Sequence, residues 1–400
     1  MVKKMEEIKN NEEVEVMEND ANKRRIKKGV FVIGLTAILL TVSTYAWFVG
    51  LTNVGINEFE LNVEATKGLQ LSLDGSSFAD SLTINGTTLK TELEESYASN
   101  TNNWIDEGLV PMSATGSMNT TTSRMNIFAK SSMTANKGGY KLIASLANQD
   151  AEVDGYIAFD LFIKNDSGTY YDANFNPVDD EGIYLVPSSS AIIEPTGEVV
   201  SAGGDGIENS IRVAFMQIGR VSMNSEKSLV QGISCNSASS SGVTQLCTQT
   251  SGGRGITWNI WEPNDLKHNA ESVEHFSKVC FKRTGDTTYD SACDTIADET
   301  YVKTFASNAE ISSTDNINIY DGLNGYDNVS TKLTEMTYFR DSTDKANRNE
   351  IFYLAPSSIT KVRVYIYIEG QDVDNYDLGS MGKKIYVNFG LSKNKFAEAD

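Results

Sequence analysis

Two hydrophobic periods divide the chain. No charged residue occurs from Gly29 to Asn57, and Val30–Val49 is a predominantly apolar run of 20 residues. At about 1.5 Å rise per residue a helix of this length covers roughly 30 Å, the thickness of a bilayer's hydrocarbon core. Backbone amides find no water in lipid, so such a segment must close its hydrogen bonds internally as a helix. From Glu58 the period becomes two. Phe59, Leu61 and Val63 alternate with Glu58, Glu60, Asn62 and Glu64, the pattern of a strand with one dry and one wet face. Leu69, Leu71 and Leu73 repeat it and end at the turn pair Asp74-Gly75. Leu82 and Ile84 precede Asn85-Gly86, which reads as a hairpin turn. Leu89–Ala98 has the composition of a short peripheral helix.

Further strands follow. Tyr156–Asn165 is apolar on both faces and therefore reads as a central strand, and Gly182–Val186 ends before Pro187. Ile211, Val213 and Phe215 mark another strand. Lys361–Glu369 is the most β-prone stretch, with Val362, Val364, Ile366 and Ile368 alternating with Arg363, Tyr365, Tyr367 and Glu369. Lys384–Phe389 supplies a final strand. Short strands at turn-marked spacing, with few helices after residue 50, predict an all-β, antiparallel β-sandwich of jelly-roll type. Residues 222–345 differ, being rich in Ser, Asn, Asp, Thr and Gly. They read as a loop-rich insertion over the sandwich, with a separate small domain as the alternative.

Charge assigns these parts to compartments. Residues 1–28 hold eight cations and seven acids and read as a charged cytoplasmic tail. Its last cations, Lys23-Arg24-Arg25-Ile26-Lys27-Lys28, abut the apolar run. The positive-inside rule keeps them in the cytoplasm and places residues 50–400 outside the cell. Residues 29–49 are thus a transmembrane helix or an export signal. Thr44 and Ala46 have the small size that cleavage between Ala46 and Trp47 needs. Uncleaved, the protein is a single-pass membrane protein held through residues 30–49; cleaved, it is secreted. A prepilin reading of Gly29 fails because Gly34 stands where pilin assembly uses Glu. The whole chain has a net charge of −20. That acidity opposes nucleic-acid binding, which needs cations on phosphate, and suits divalent cations or basic partners.

All four cysteines, Cys235, Cys247, Cys280 and Cys293, lie beyond the apolar run, where thiols oxidise. The local pairs Cys235–Cys247 and Cys280–Cys293 are the simplest of three connectivities.

The string STYAWF (Ser43–Phe48) followed by the strand at Asn57–Gly75 resembles the start of TasA/camelysin-type exported proteins of Gram-positive bacteria. Val362–Asp377 looks like the closing strand and turn of large exported β-proteins that share this leader. The resemblance covers about residues 40–75 and 350–392. It implies self-assembly into fibres or a biofilm matrix, with the first strand, Glu58–Glu64, pairing to a neighbour's sheet edge.

Candidate chemistry is sparse. In the segment with Glu271 and Glu274, a helix would put His268, Glu271 and His275 on one face as metal ligands, but their spacing matches no zincin motif. A metal-dependent hydrolase therefore has little support. No GxSxG elbow or phosphate loop occurs, and no cofactor is implied. Asp372, Asp374 and Asp377 lie on a turn after a strand. They offer hard oxygens to calcium, or simply solvate the turn. Trp104, Trp258 and Trp261 in polar contexts allow stacking on sugar rings, and so a surface adhesin for glycans or a host protein. The expected role is non-catalytic: a cell-surface structural or adhesive protein.

Overall fold

The computed structural model has 19 strands among the residues it describes, and alternation marks chiefly the longer ones of the sandwich. The structure describes residues 58–66, 68–93, 97, 100, 102–105, 109–119, 124–136, 139–146, 155–176, 178–193, 207–238, 241–247, 258–263, 305–307, 316–321, 329–335, 339–340, 350–370 and 384–394. All fall within one unit, Thr52–Asp400. In chain order the strands are β1 (Glu58–Ala65), β2 (Leu69–Ser72), β3 (Ser81–Asn85), β4 (Met112–Asn119), β5 (Arg124–Asn136), β6 (Gly139–Leu146), β7 (Ile157–Asn165), β8 (Glu181–Leu185), β9 (Ser190–Ile193) and β10 (Ile211–Ser222). They continue with β11 (Thr244–Gln245), β12 (Trp258–Glu262), β13 (Phe305–Ser307), β14 (Asn316–Asp321), β15 (Leu333–Glu335), β16 (Phe339–Arg340), β17 (Phe352–Leu354), β18 (Ser358–Ile368) and β19 (Lys384–Asn394). Two short helices are α1 (Gly86–Leu93) and α2 (Lys227–Gln231).

The protein is all-β among these residues. One sheet runs β17-β8-β19-β1-β3, with β9 also paired to β19; the other runs β16-β12-β10-β18-β7-β2, with β11 on β10. Their facing sides share one core. Leu61, Val63, Ile183, Val387 and Phe389 come from the first sheet; Phe159, Leu161, Val213, Phe215, Val362 and Val364 come from the second. Phe215 meets Phe389 edge-on across the layers, at 5.3 Å between ring centres. The sandwich is not wholly antiparallel. β1 pairs β19 in parallel, and so does β12 with β16. Strands β14, β6, β5 and β4 form a further sheet, which the sequence pattern had not marked.

Two local readings change. Asn85-Gly86 is not a hairpin turn. Asn85 Oδ1 accepts the Thr88 amide at 2.9 Å, so the pair opens α1, which starts at Gly86 rather than Leu89. The same short polar side chain that favours a turn also caps a helix. Within residues 222–345, Trp258–Glu262 is not a loop but β12, a strand of the second sheet paired to β10.

Cys235 and Cys247 are disulfide-bonded, with 5.7 Å between their Cα atoms. Their loop and α2 cover the outer side of the second sheet, where Val230, Ile233 and both cysteines pack with Phe162, Ile218 and Ile359. Closing a 12-residue separation stabilises the fold mainly by restricting the unfolded chain. Cys235→Ser is expected to cost about 3 kcal/mol, read as a lower urea midpoint with a somewhat steeper slope, because the unlinked unfolded chain exposes more surface.

Candidate functional site

The first described strand occupies an interior position. β1 matches β19 at eight residue pairs, from Glu58↔Lys384 to Ala65↔Leu391. On its other side it matches β3 at five, from Glu60↔Asn85 to Glu64↔Ser81. Its alternation is used as the sequence predicts. Leu61 and Val63 are buried in the shared core, while Glu64 faces solvent. Fully burying such side chains stabilises by about 1.5–3 kcal/mol each. The short strand β3 has no partner but β1 in this sheet, so β1 also carries β3.

A tight corner joins β1 to β2. The Leu69 amide donates to the Thr66 carbonyl at 3.1 Å, and Gly68 has φ +86°, a conformation that favours glycine. Lys393 clamps this corner. Its Nζ donates to the Gly68 carbonyl at 3.1 Å and to Asn165 Oδ1 at 2.9 Å, and lies 3.4 Å from Glu181 Oε2.

Above β1, on the solvent side, lies an open groove of about 320 Å³ lined by Asn62, Glu64, Ser81, Thr83, Ser188 and Asn388. Thr83 Oγ1 donates to Asn62 Oδ1 at 2.8 Å. The groove offers hydrogen-bonding groups, and the aromatic residue along it, Phe389, has its side chain buried in the core.

The second sheet hides an ionic cluster. Asp160 on β7 is fully buried, and Lys361 and Arg363 on β18 are each 1% exposed. Asp160 Oδ1 accepts from Arg363 Nε at 2.8 Å, and Oδ2 lies 2.9 Å from Lys361 Nζ. The Tyr97 hydroxyl donates to Oδ2 at 2.5 Å, and Asn102 Oδ1 accepts the Asp160 amide at 2.8 Å. Lys361 Nζ also lies over the rings of Tyr97 and Phe162. Burial pushes the Asp160 carboxyl up, but Arg363 and then Lys361 outweigh it and hold it below the usual carboxylate range. Burial lowers the Lys361 amine against the pull of Asp160. Burial, and then the Asp160 charge, raise the Tyr97 hydroxyl. The residues opposite the valines of β18 therefore face a second buried layer. Alternation by itself does not show that this side is covered.

Of the residues singled out from the sequence, Cys235 and Cys247 come together as a pair. Trp261 does not serve as a sugar platform. It is fully buried because β12 turns it into the sandwich core. Trp104 is half-buried and packs on the core beside Gly86. Trp258 belongs to β12. Ala46 and Trp47, His268, Glu271, Glu274 and His275, Cys280 and Cys293, and Asp372, Asp374 and Asp377 lie outside the described residues. So does the apolar run 30–49; among the described residues no helix is long and apolar enough to cross a membrane. Among the same residues no group of three or more His, Cys, Asp or Glu is placed to hold a metal.

No protein-family model matches the chain, and no curated protein and no solved structure matches it.

Proposed function

We propose that this is an exported cell-surface protein with a structural or adhesive role, a jelly-roll-like sandwich that assembles by strand donation. The leader holds it at the membrane through residues 30–49 or is removed after Ala46. Once β1 is free, it leaves its own sheet and fills the gap between β3 and β19 of the next copy. The observation that carries this reading is the place of β1. It is an eight-residue strand that leads into β2 through one corner, and among the described side chains it supplies Leu61 and Val63 to a core slot with backbone partners on both sides. Strand addition uses the same hydrogen bonds and the same two pockets whether the strand comes in cis or in trans. Passing β1 head-to-tail makes an open, fibre-forming contact.

Electron microscopy of the protein starting at Trp47 tests this: fibres are expected, and monodisperse particles under all conditions would count against it. Strand exchange requires the Gly68 corner to open. Lys393→Met removes hydrogen bonds from a charged donor, worth about 1.5–3 kcal/mol. A loss of about 1.5–3 kcal/mol raises an open population about 10–150-fold, so fibres of this variant are expected to appear sooner by light scattering.

The polar groove over β1 favours glycan binding as a second reading. Binding on a glycan array, lost in Asn388→Ala with the fold intact, would support it.

A further inference from the structure

One buried lysine and one buried carboxylate stand at hydrogen-bond distance. β7 and β18 are antiparallel neighbours in which Lys361 faces Phe162 and Arg363 faces Asp160. The diagonal offset brings Lys361 Nζ to 2.9 Å from Asp160 Oδ2, with neither side chain more than 1% exposed. We propose that Lys361 and Asp160 condense into an intramolecular amide, a covalent cross-link between β7 and β18.

The neighbours supply what that reaction needs. The ammonium must pass one proton across the 2.9 Å contact to Oδ2, against the Arg363 charge that holds the carboxyl ionised, leaving an amine and a carboxylic acid. The Nζ lone pair attacks Cγ, and negative charge develops on Oδ1. Arg363 Nε already donates to that oxygen at 2.8 Å and stabilises the tetrahedral centre. The Cγ–Oδ2 bond then breaks. Oδ2 takes a second proton from the nitrogen and leaves as water, while the Tyr97 hydroxyl holds its 2.5 Å hydrogen bond to the departing atom. An ammonium and a carboxylate thus become an amide and one water, with no oxidant or co-reactant.

Two physical terms favour the step. Fixed approach at this distance is worth an effective concentration of about 10⁵–10⁸ M in well-oriented systems. Burying an ammonium and a carboxylate costs several kcal/mol per ion, and the amide removes both charges. Burial also lowers the Lys361 amine towards the neutral form that attacks. The rings of Tyr97 and Phe162, 4.9 and 5.5 Å from Nζ, shield the site from the water that would reverse the reaction.

Mass spectrometry of a tryptic digest of the reduced full chain decides the matter. A lysine in an amide resists trypsin, so residues 142–164 and 349–363 are expected as one branched peptide, lighter than the two together by one water. Recovery of the two segments separately, with cleavage after Lys361, would overturn the proposal. Lys361→Arg keeps the charge but has no attacking amine. Its digest is expected to lack the branched peptide and its melting temperature to fall; a branched peptide that persists in it would overturn the assignment to Lys361. If this variant fails to fold, the wild-type digest still decides. The cross-link does not depend on strand donation, and neither result bears on the other.

Discussion

Asp160→Ala is expected to lower the unfolding free energy by about 3–5 kcal/mol, the range for removing one partner of a buried charge pair. The loss exceeds that of an ordinary core truncation of similar size. Lys361 and Arg363 stay behind in a site where neither is more than 1% exposed, with their shared acceptor gone. The Tyr97 hydroxyl loses its acceptor as well. The expectation is the same in direction for an ion pair and for an amide, since both need the Asp160 carboxyl. Urea unfolding measures it. A change below about 1 kcal/mol, within the ordinary spread for point substitutions, would mean that the cluster is solvated in solution.

Removing β1 is expected to have the largest effect. A chain starting at Thr66 loses the burial of Leu61 and Val63, about 1.5–3 kcal/mol each, and leaves β19 and β3 without their shared neighbour. The total approaches the 5–15 kcal/mol that holds an ordinary domain together. The truncated chain should therefore show reduced near-ultraviolet circular dichroism and a broad, early thermal transition. It should also aggregate, because two unpaired edges flank an open apolar slot.

The strands that bury a clean alternating face were legible in the sequence: β1, β2, β7, β10, β18 and β19 each carry large apolar side chains at every second position. The strands β4, β5 and β6 were not. Their sequences, MSATGSMN, RMNIFAKSSMTAN and GYKLIASL, mix small and polar residues and lack that contrast. They pair with their own neighbours in the chain, Asn119↔Arg124 and Asn136↔Gly139 at the near ends, so their weak apolar contrast rather than distance hid them; β14 joins them from far along the chain. The burial of Trp261 was hidden for a related reason. A short strand inside a polar stretch is drawn into the sandwich by its pairing with β10, and nothing in its own neighbourhood announces that pairing.

The ionic cluster shows the same limit. Alternation sets Lys361 and Arg363 on the side opposite Val362 and Val364, which by itself looks like a wet face. The covering comes from elsewhere in the chain. Tyr97 packs edge-on to Phe162, Asn103 bridges Ala158 at the border of β7, and the loop closed by Cys235 and Cys247 lies over Phe162. The Cys235–Cys247 pair is the simplest that spacing offers, but what its loop covers is not readable there.

Adding a synthetic peptide of residues 58–65 to the chain that starts at Thr66 tests strand donation most directly. Saturable binding is predicted, together with recovery of a sharp thermal transition, and Val63→Asp in the peptide should abolish both because it carries a charge into the core slot. A truncated chain that melts like the intact protein without peptide, or one that takes up the wild-type and Val63→Asp peptides equally, would contradict it.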